Sequence, residues 1–418
     1  IDLGAVTNPV FNFNPETGST ISLTTPSNIT LANNIAGAGT VAKTGTGTLT
    51  LTGANNGNLV VKEGTVQIGN GSALNWGAGG SVTLENGTTL VLHGKGAHHT
   101  IGADLILGLA ASDAVFVKWY DATAANDTDY QYNLTGNVVV NGQVDLTTDS
   151  HNYAKEAAFT GTLSGAGTIT YSRGAGDGEY NSNGKMVICG DASGFTGTLA
   201  LDSSNNYSTG LDLFSSVANA TVSLTSGTHE QGFASMRVRG DVAVGTLNGT
   251  ANTWVGAVGG ARTLTVGAGV FNGTITDKGL ASSTNTSFSY DESGVLSLTK
   301  VGDGTLTLAG TVSYTGLTNV QGGTLALTST GTTSLTNITL GAASRMTVAG
   351  GLNLTSGSAL SLDASSSLSV AGAFGGGVYN LTLTGLGDIT DEGEYTLISA
   401  ASGLGTSSAT FRSEERRV

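Results

Sequence analysis

Carboxylates and imidazoles are the side chains that could do chemistry in this chain, and they are sparse. The densest acidic stretch is WYDATAANDTDY, which carries Asp121, Asp127 and Asp129. Glycosidic cleavage needs two carboxylates placed across a bond, and calcium needs several oxygen ligands at a defined spacing. The three aspartates do not have the spacing of a helix–loop–helix calcium site, and the segment reads as an exposed insertion between strands. The GDG steps at 176–178 and 302–304 are turn-forming fragments of the calcium nonapeptide G-G-x-G-x-D, which does not occur. His98 and His99 are adjacent, with His93 nearby. Neighbours on a strand point to opposite faces, so that pair makes a poor joint metal ligand. No G-x-S-x-G is present, which removes one serine-hydrolase signature. The reading is a chain with no catalytic residue, no metal site and no cofactor.

Two features suggest recognition instead. Arg239, Gly240 and Asp241 form an Arg-Gly-Asp tripeptide inside MRVRGDVAVG, the sequence that integrin-binding proteins display on exposed loops. The VAV that follows begins a strand, so the tripeptide falls at a corner. Trp119, Tyr120, Tyr130 and Tyr132 make an aromatic cluster around 110–135. It serves either as a lid on the core or as a contact patch, since binding collects on loops carried by a rigid scaffold. Cys189 is the lone cysteine. It excludes an internal disulfide and is expected to be a small buried hydrophobe.

The elements that must carry these residues are strands. The chain has 418 residues, 65 of them glycine, and only 11% are charged. Apolar residues at 39% suffice for a large core, while so few charges argue against amphipathic helices. All three prolines lie within the first 26 residues, so the remaining turns must be made by Gly, Asn and Asp. The net charge is −14 without a basic cluster, which argues against nucleic acid as a partner. No run of 18 apolar residues spans a membrane as a helix. Alternation over short spans, as in TLTLTG (48–53), VTLENGTTLVL (82–92) and VVVNGQVDL (138–146), predicts short strands ended by Gly or Asn-Gly steps. The triplets ITL, MTV, LNL, LSL and LSV begin at 338, 346, 352, 360 and 368. Three steps return after about 22 residues, the rhythm of a parallel β-helix with about three short strands per coil.

A refrain recurs over 37–70, more loosely over 165–205, and again over 294–331. Its best copy reads K-x-G-x-G-T-L-T-L-x-G, then Y-T-G, a strand, and G-G-T-L. Lys300, Gly302, Gly304, Thr305, Leu306, Leu308, Gly310, Tyr314, Thr315, Gly316, Gly322, Gly323, Thr324 and Leu325 carry it. The first copy keeps Lys43, Gly45, Gly47, Thr48, Leu49, Leu51 and Gly53 but lacks the Y-T-G step, and the second offers Phe195-Thr196-Gly197. This pattern resembles the autotransporter-associated β-strand repeat. The resemblance implies a right-handed parallel β-helix passenger, exported by type V secretion and displayed at the cell surface or released. It implies an outer-membrane β-barrel in a missing C-terminal part, and a surface ligand on a host or sister cell, or self-association, as partner. On that reading the chain is a non-enzymatic adhesin, aggregation factor or display stalk. The alternatives are a β-helix polysaccharide lyase or glycoside hydrolase, and a spacer for an absent functional domain. Residues 1–36 are expected to form a cap and 37–411 the β-helix, with excursions near 110–135, 174–186, 203–210 and 277–294. Arg412–Val418, with five charges in seven residues, is expected to be a non-native adapter-derived tail.

Overall fold

The structure, a computed structural model, describes residues 12–413 except 33, 71–75, 95–98, 122–129, 150–154, 174–183, 205–207, 228–231, 285–286, 291–292, 377–378, 389–392 and 405–407. Among the described residues the regular structure is all strand, apart from one 3-10 turn at Leu386–Asp388. Alternation builds these strands. In Thr48–Leu51, Asn58–Val61 and Thr65–Ile68 every second residue is buried. Leu49, Leu59 and Val66 are therefore fully enclosed, while the threonines between such positions face outward. Outward threonines meet across strands, as Thr24 and Thr44 do through their hydroxyls at 3.2 Å.

The chain divides into two compact units, Ile1–Ala220 with Thr225–Ala234 and Ser282–Ser287, and Thr221–Leu224 with Ser235–Ala281 and Phe288–Val418. In the first unit, strands visit three parallel sheets in rotation. Asp104–Leu107, Ala114–Asp121 and Tyr130–Leu134 are followed by Val138–Val140, Gln143–Asp149 and Lys155–Phe159, each pairing with its counterpart one circuit earlier. Single pairs such as Phe13 with Ile35, and Trp76 with Ile101, extend the third sheet towards the N-terminus. Pairing thus already includes the strands Thr20–Thr24 and Ile29–Leu31, inside the segment expected to be a cap. Circuit length in this unit varies, from 17 residues between the paired Thr48 and Thr65 to 33 between Leu105 and Val138. Strands Ala114–Asp121 and Tyr130–Leu134 occupy half of the expected excursion at 110–135, and 122–129 lie outside the described residues.

In the second unit the predicted rhythm is met residue by residue. Ile338 pairs with Leu360, Met346 with Leu368 and Leu352 with Phe374, all in parallel. Asn337 Oδ1 accepts from the Ala359 amide across the same 22-residue circuit at 2.9 Å. Such parallel strands in stacked sheets are those of a β-helix solenoid. Near the end, Ser408–Ser413 pairs antiparallel with Gly393–Ser402 and includes Arg412, the first residue of the expected tail.

Because each circuit covers the apolar row of its neighbour, inward and outward positions should differ sharply in cost. Leu325, fully buried between Leu306 and Met346, should lose about 2–5 kcal/mol on Leu325→Ala. The outward Thr347→Ala should stay within about 0.5 kcal/mol. Urea melts of both variants check this contrast.

Candidate functional site

The K-x-G-x-G segments of the refrain build one local device twice. Lys43 and Lys300 share strand parity with Val41 and with Leu298, so their side chains enter the interior, where both residues are fully buried. Lys43 Nζ donates to the carbonyl of Gly45 at 2.7 Å and of Glu63 at 2.6 Å. Lys300 Nζ donates to Val301 at 2.7 Å, Gly302 at 2.8 Å and Gly322 at 3.1 Å. In each copy the ammonium joins the turn that follows its own strand to the equivalent turn one circuit later. The glycine two residues on adopts a left-handed backbone, φ +82° at Gly45 and +68° at Gly302, which places its carbonyl where the lysine reaches it. The Glu63 carboxylate adds a bond to the Gly45 amide at 2.9 Å. Burial pushes Lys43 down to about 8, with Glu63 opposing. It lowers Lys300 for the same reason, with Asp303 opposing.

The Y-T-G corner is a second device. Tyr314 is buried, and its hydroxyl meets Thr318 Oγ1 at 2.8 Å. Burial raises the phenol above its ordinary range, Thr318 opposing and Asp277 adding. Thr318 is a polar residue in an otherwise apolar row, between Leu298 and Ile338. Asp277 fixes the corner from outside: its carboxylate accepts from the Leu296 amide at 2.8 Å, the Thr315 amide at 2.9 Å and the Thr315 hydroxyl at 2.6 Å. In the F-T-G version, buried Phe195 needs no partner, and Leu199 stands where Thr318 does. Glycine closes both corners for lack of room. A Cβ on Gly316 would lie 2.2 Å from the Leu296 carbonyl, and one on Gly197 1.8 Å from that of Gly167.

The residues singled out for recognition are placed differently. Trp119 and Tyr132 are fully buried with ring centroids 5.2 Å apart, and the His99 ring lies 5.2 Å from Tyr132, tilted by 34°. Both side chains therefore face the core. Tyr120 and Tyr130 lie in strands, pairing with His93 and Lys155, but their side chains are outside the described residues, as are Asp127, Asp129 and His98. Gln67 Nε2 donates to His93 Nδ1 at 3.2 Å. Arg239 and Gly240 are half-buried and Asp241 is exposed, at a corner between Ala234–Val238 and Val242–Gly249. Asp241 Oδ1 accepts from the Thr263 amide at 2.8 Å, so its carboxylate ties two circuits together. Cys189 corrects the expected burial. It follows inward Ile188 and faces outward, donating weakly to the Phe159 carbonyl at 3.5 Å, and partial burial with Glu156 nearby raises its thiol.

Sequence reading missed the inward lysines, although strand parity signals them, since TVAKT and VLSLTK put a cation in an apolar row. The outward group that sequence reading passed over is Phe116, Asp145 and Asp202 on one sheet face, brought together by register alone. Burial raises the Asp145 carboxyl, with Lys118 opposing and Asp202 adding. Among the described residues no three His, Cys, Asp or Glu side chains converge as a metal site.

The two lysine devices coincide with what is known elsewhere. The passenger-associated-transport-repeat pattern matches residues 41–68 and 298–327. The chain carries the repeats of an autotransporter passenger. It is also similar to the adhesin BmaC autotransporter of Brucella suis biovar 1 (strain 1330), 27% identical over 256 residues. That similarity covers 60% of this chain and 6% of the relative, so the chain spans a small part of that protein's length. No solved structure matches the chain. The matched residues fall within the first and third copies of the refrain, and each contains one buried lysine with its two turns.

Two outcomes follow for these passenger repeats. Tyr314→Phe or Thr318→Val alone strands a buried hydroxyl and should cost about 1–3 kcal/mol. The double variant, which leaves an apolar pair in the manner of Phe195 and Leu199, should cost clearly less than the sum, as a double-mutant cycle in urea would show. For Lys43, the unfolded chain holds its proton up to about 10.4 while the folded chain releases it near 8. The unfolded state therefore binds more protons between those values, and stability should rise as pH is raised from 8 to 10. Lys43→Met should remove that rise and lower stability at pH 7, both read from denaturation midpoints across the pH range.

Proposed function

We propose that this chain is a stretch of an exported autotransporter passenger, presented at the surface of a Gram-negative-type envelope or released from it, that works by non-enzymatic adhesion. The observation that carries this reading is the repeated lysine device at both matched segments, supported by the similarity to a protein named as an adhesin autotransporter. Physically, the repeats supply a scaffold whose outward face is free to vary. Inward rows of Leu, Val and Ile and backbone pairing hold the core, so outward positions take Thr, Ser, Asn and occasional aromatic residues without disturbing it. A single free cysteine suits a chain that crosses an envelope before folding, because no wrong disulfide forms within it. The partner is a ligand on a host or sister cell, and the outer-membrane barrel that displays such a passenger belongs to the rest of the protein.

Fusing the 418-residue chain to a heterologous autotransporter barrel and displaying it on a non-adherent Gram-negative host tests the proposal. The expected outcome is a gain of attachment to host cells or matrix, or of clumping, relative to the barrel alone. Unchanged attachment and settling on all surfaces would remove the adhesive role.

A further inference from the structure

In the first unit, the solvent face of the second sheet carries a depression of about 270 Å³. Strands Ala114–Asp121, Gln143–Asp149, Thr168–Arg173 and Thr198–Ser203 run beside one another in parallel register. That register sets two outward rows across the strands. Phe116, Asp145 and Thr170 stand in one, and Lys118, Thr147, Ser172 and Asp202 in the other. Gln143 closes the depression beside Asp145.

We propose that this depression binds an uncharged glycan chain without cleaving it. Four observations carry the assignment. The first three strands are paired on both edges, so no free backbone edge is offered to a peptide strand and recognition must come from side chains. Phe116 stays 36% exposed and gives an apolar ring surface against which the C–H face of a sugar packs. An amide, two hydroxyls and two carboxylates then offer both donors and acceptors along the same face, which suits the mixed character of sugar hydroxyls. Two carboxylates against one lysine, in a chain of net charge −14, repel an acidic polysaccharide.

Binding without cleavage follows from spacing. Asp145 and Asp202 are two strands and two residues apart, about 12 Å between backbones from strand separation and rise. Both side chains leave the sheet in the same direction, whereas cleavage holds its two carboxyl groups about 5–9.5 Å apart.

The proposal deepens the adhesive reading by naming a ligand class, and rests on it only for the cellular setting. Isothermal titration calorimetry of the purified 418-residue chain with maltohexaose, cellohexaose and mannohexaose tests it. Saturable binding to at least one of them is expected, weakened roughly tenfold or more by Phe116→Ala and by Asp145→Asn. Phe214→Ala, which alters another exposed ring, should leave affinity unchanged, and circular dichroism should show all three variants folded. Binding to none of the three sugars, equal binding by Phe116→Ala and Asp145→Asn, or release of new reducing ends would overturn it. Loss of adhesion by displaying cells with calorimetric binding intact would count against the adhesive reading alone.

Discussion

Everything in this protein depends on parallel strands lying directly over their counterparts one circuit away. That contact satisfies the backbone and hides the apolar row at the same time. A strand of four residues has too few hydrogen bonds and too little apolar surface to persist alone, so its stability is borrowed from the layers on either side. The constraint explains the composition. Apolar residues are needed only at alternate positions, and threonine suits the outward ones. Corners must let one backbone pass within contact distance of another, which favours residues without a Cβ or with a short acceptor. Asn28, Asn86, Asp104, Asn248 and Asn337 repeat one solution, each accepting from an amide one circuit on.

The lysine device extends the same logic to turns that expose carbonyls inward. A buried ammonium is costly, and burial lowers the pKa of both lysines. The carbonyls that meet each one would be equally costly if left bare. Putting the two together solves both problems and ties adjacent circuits at a defined register. Two aspartates work on the outside in the same sense, Asp241 between circuits and Asp277 at the Tyr314 corner. The carboxylate of the Arg-Gly-Asp tripeptide is thus already engaged by the scaffold.

How much of this was legible depended on range. The 22-residue return was readable because ITL, MTV and LNL are separated by turns of nearly constant length, and Ile338, Met346 and Leu352 do pair where that count places them. Parity in TVAKT and VLSLTK also carries the inward placement of Lys43 and Lys300, although it was passed over. Corner chemistry was not readable, because Asp277 acts on Thr315 from 38 residues earlier in the chain, with five strands between them in sequence, and nothing local marks it. The depression at Phe116 was equally hidden. Its residues come from four strands whose alignment is set by circuits of unequal length, and no single stretch is rich in them. Trp119 and Tyr132 looked like surface candidates because aromatic residues crowd a polar stretch, yet alternation within their strands turns them inward.

Paired-cysteine oxidation in a Cys189→Ser background measures the stacking most directly. Thr339 and Ser361 face outward on neighbouring parallel strands, at a separation of about 4.8 Å that a disulfide can bridge. The account predicts that Thr339→Cys/Ser361→Cys cross-links under mild oxidation while Thr339→Cys/Thr347→Cys does not. Cross-linking of the second pair and not the first would place successive strands in hairpins and contradict the solenoid.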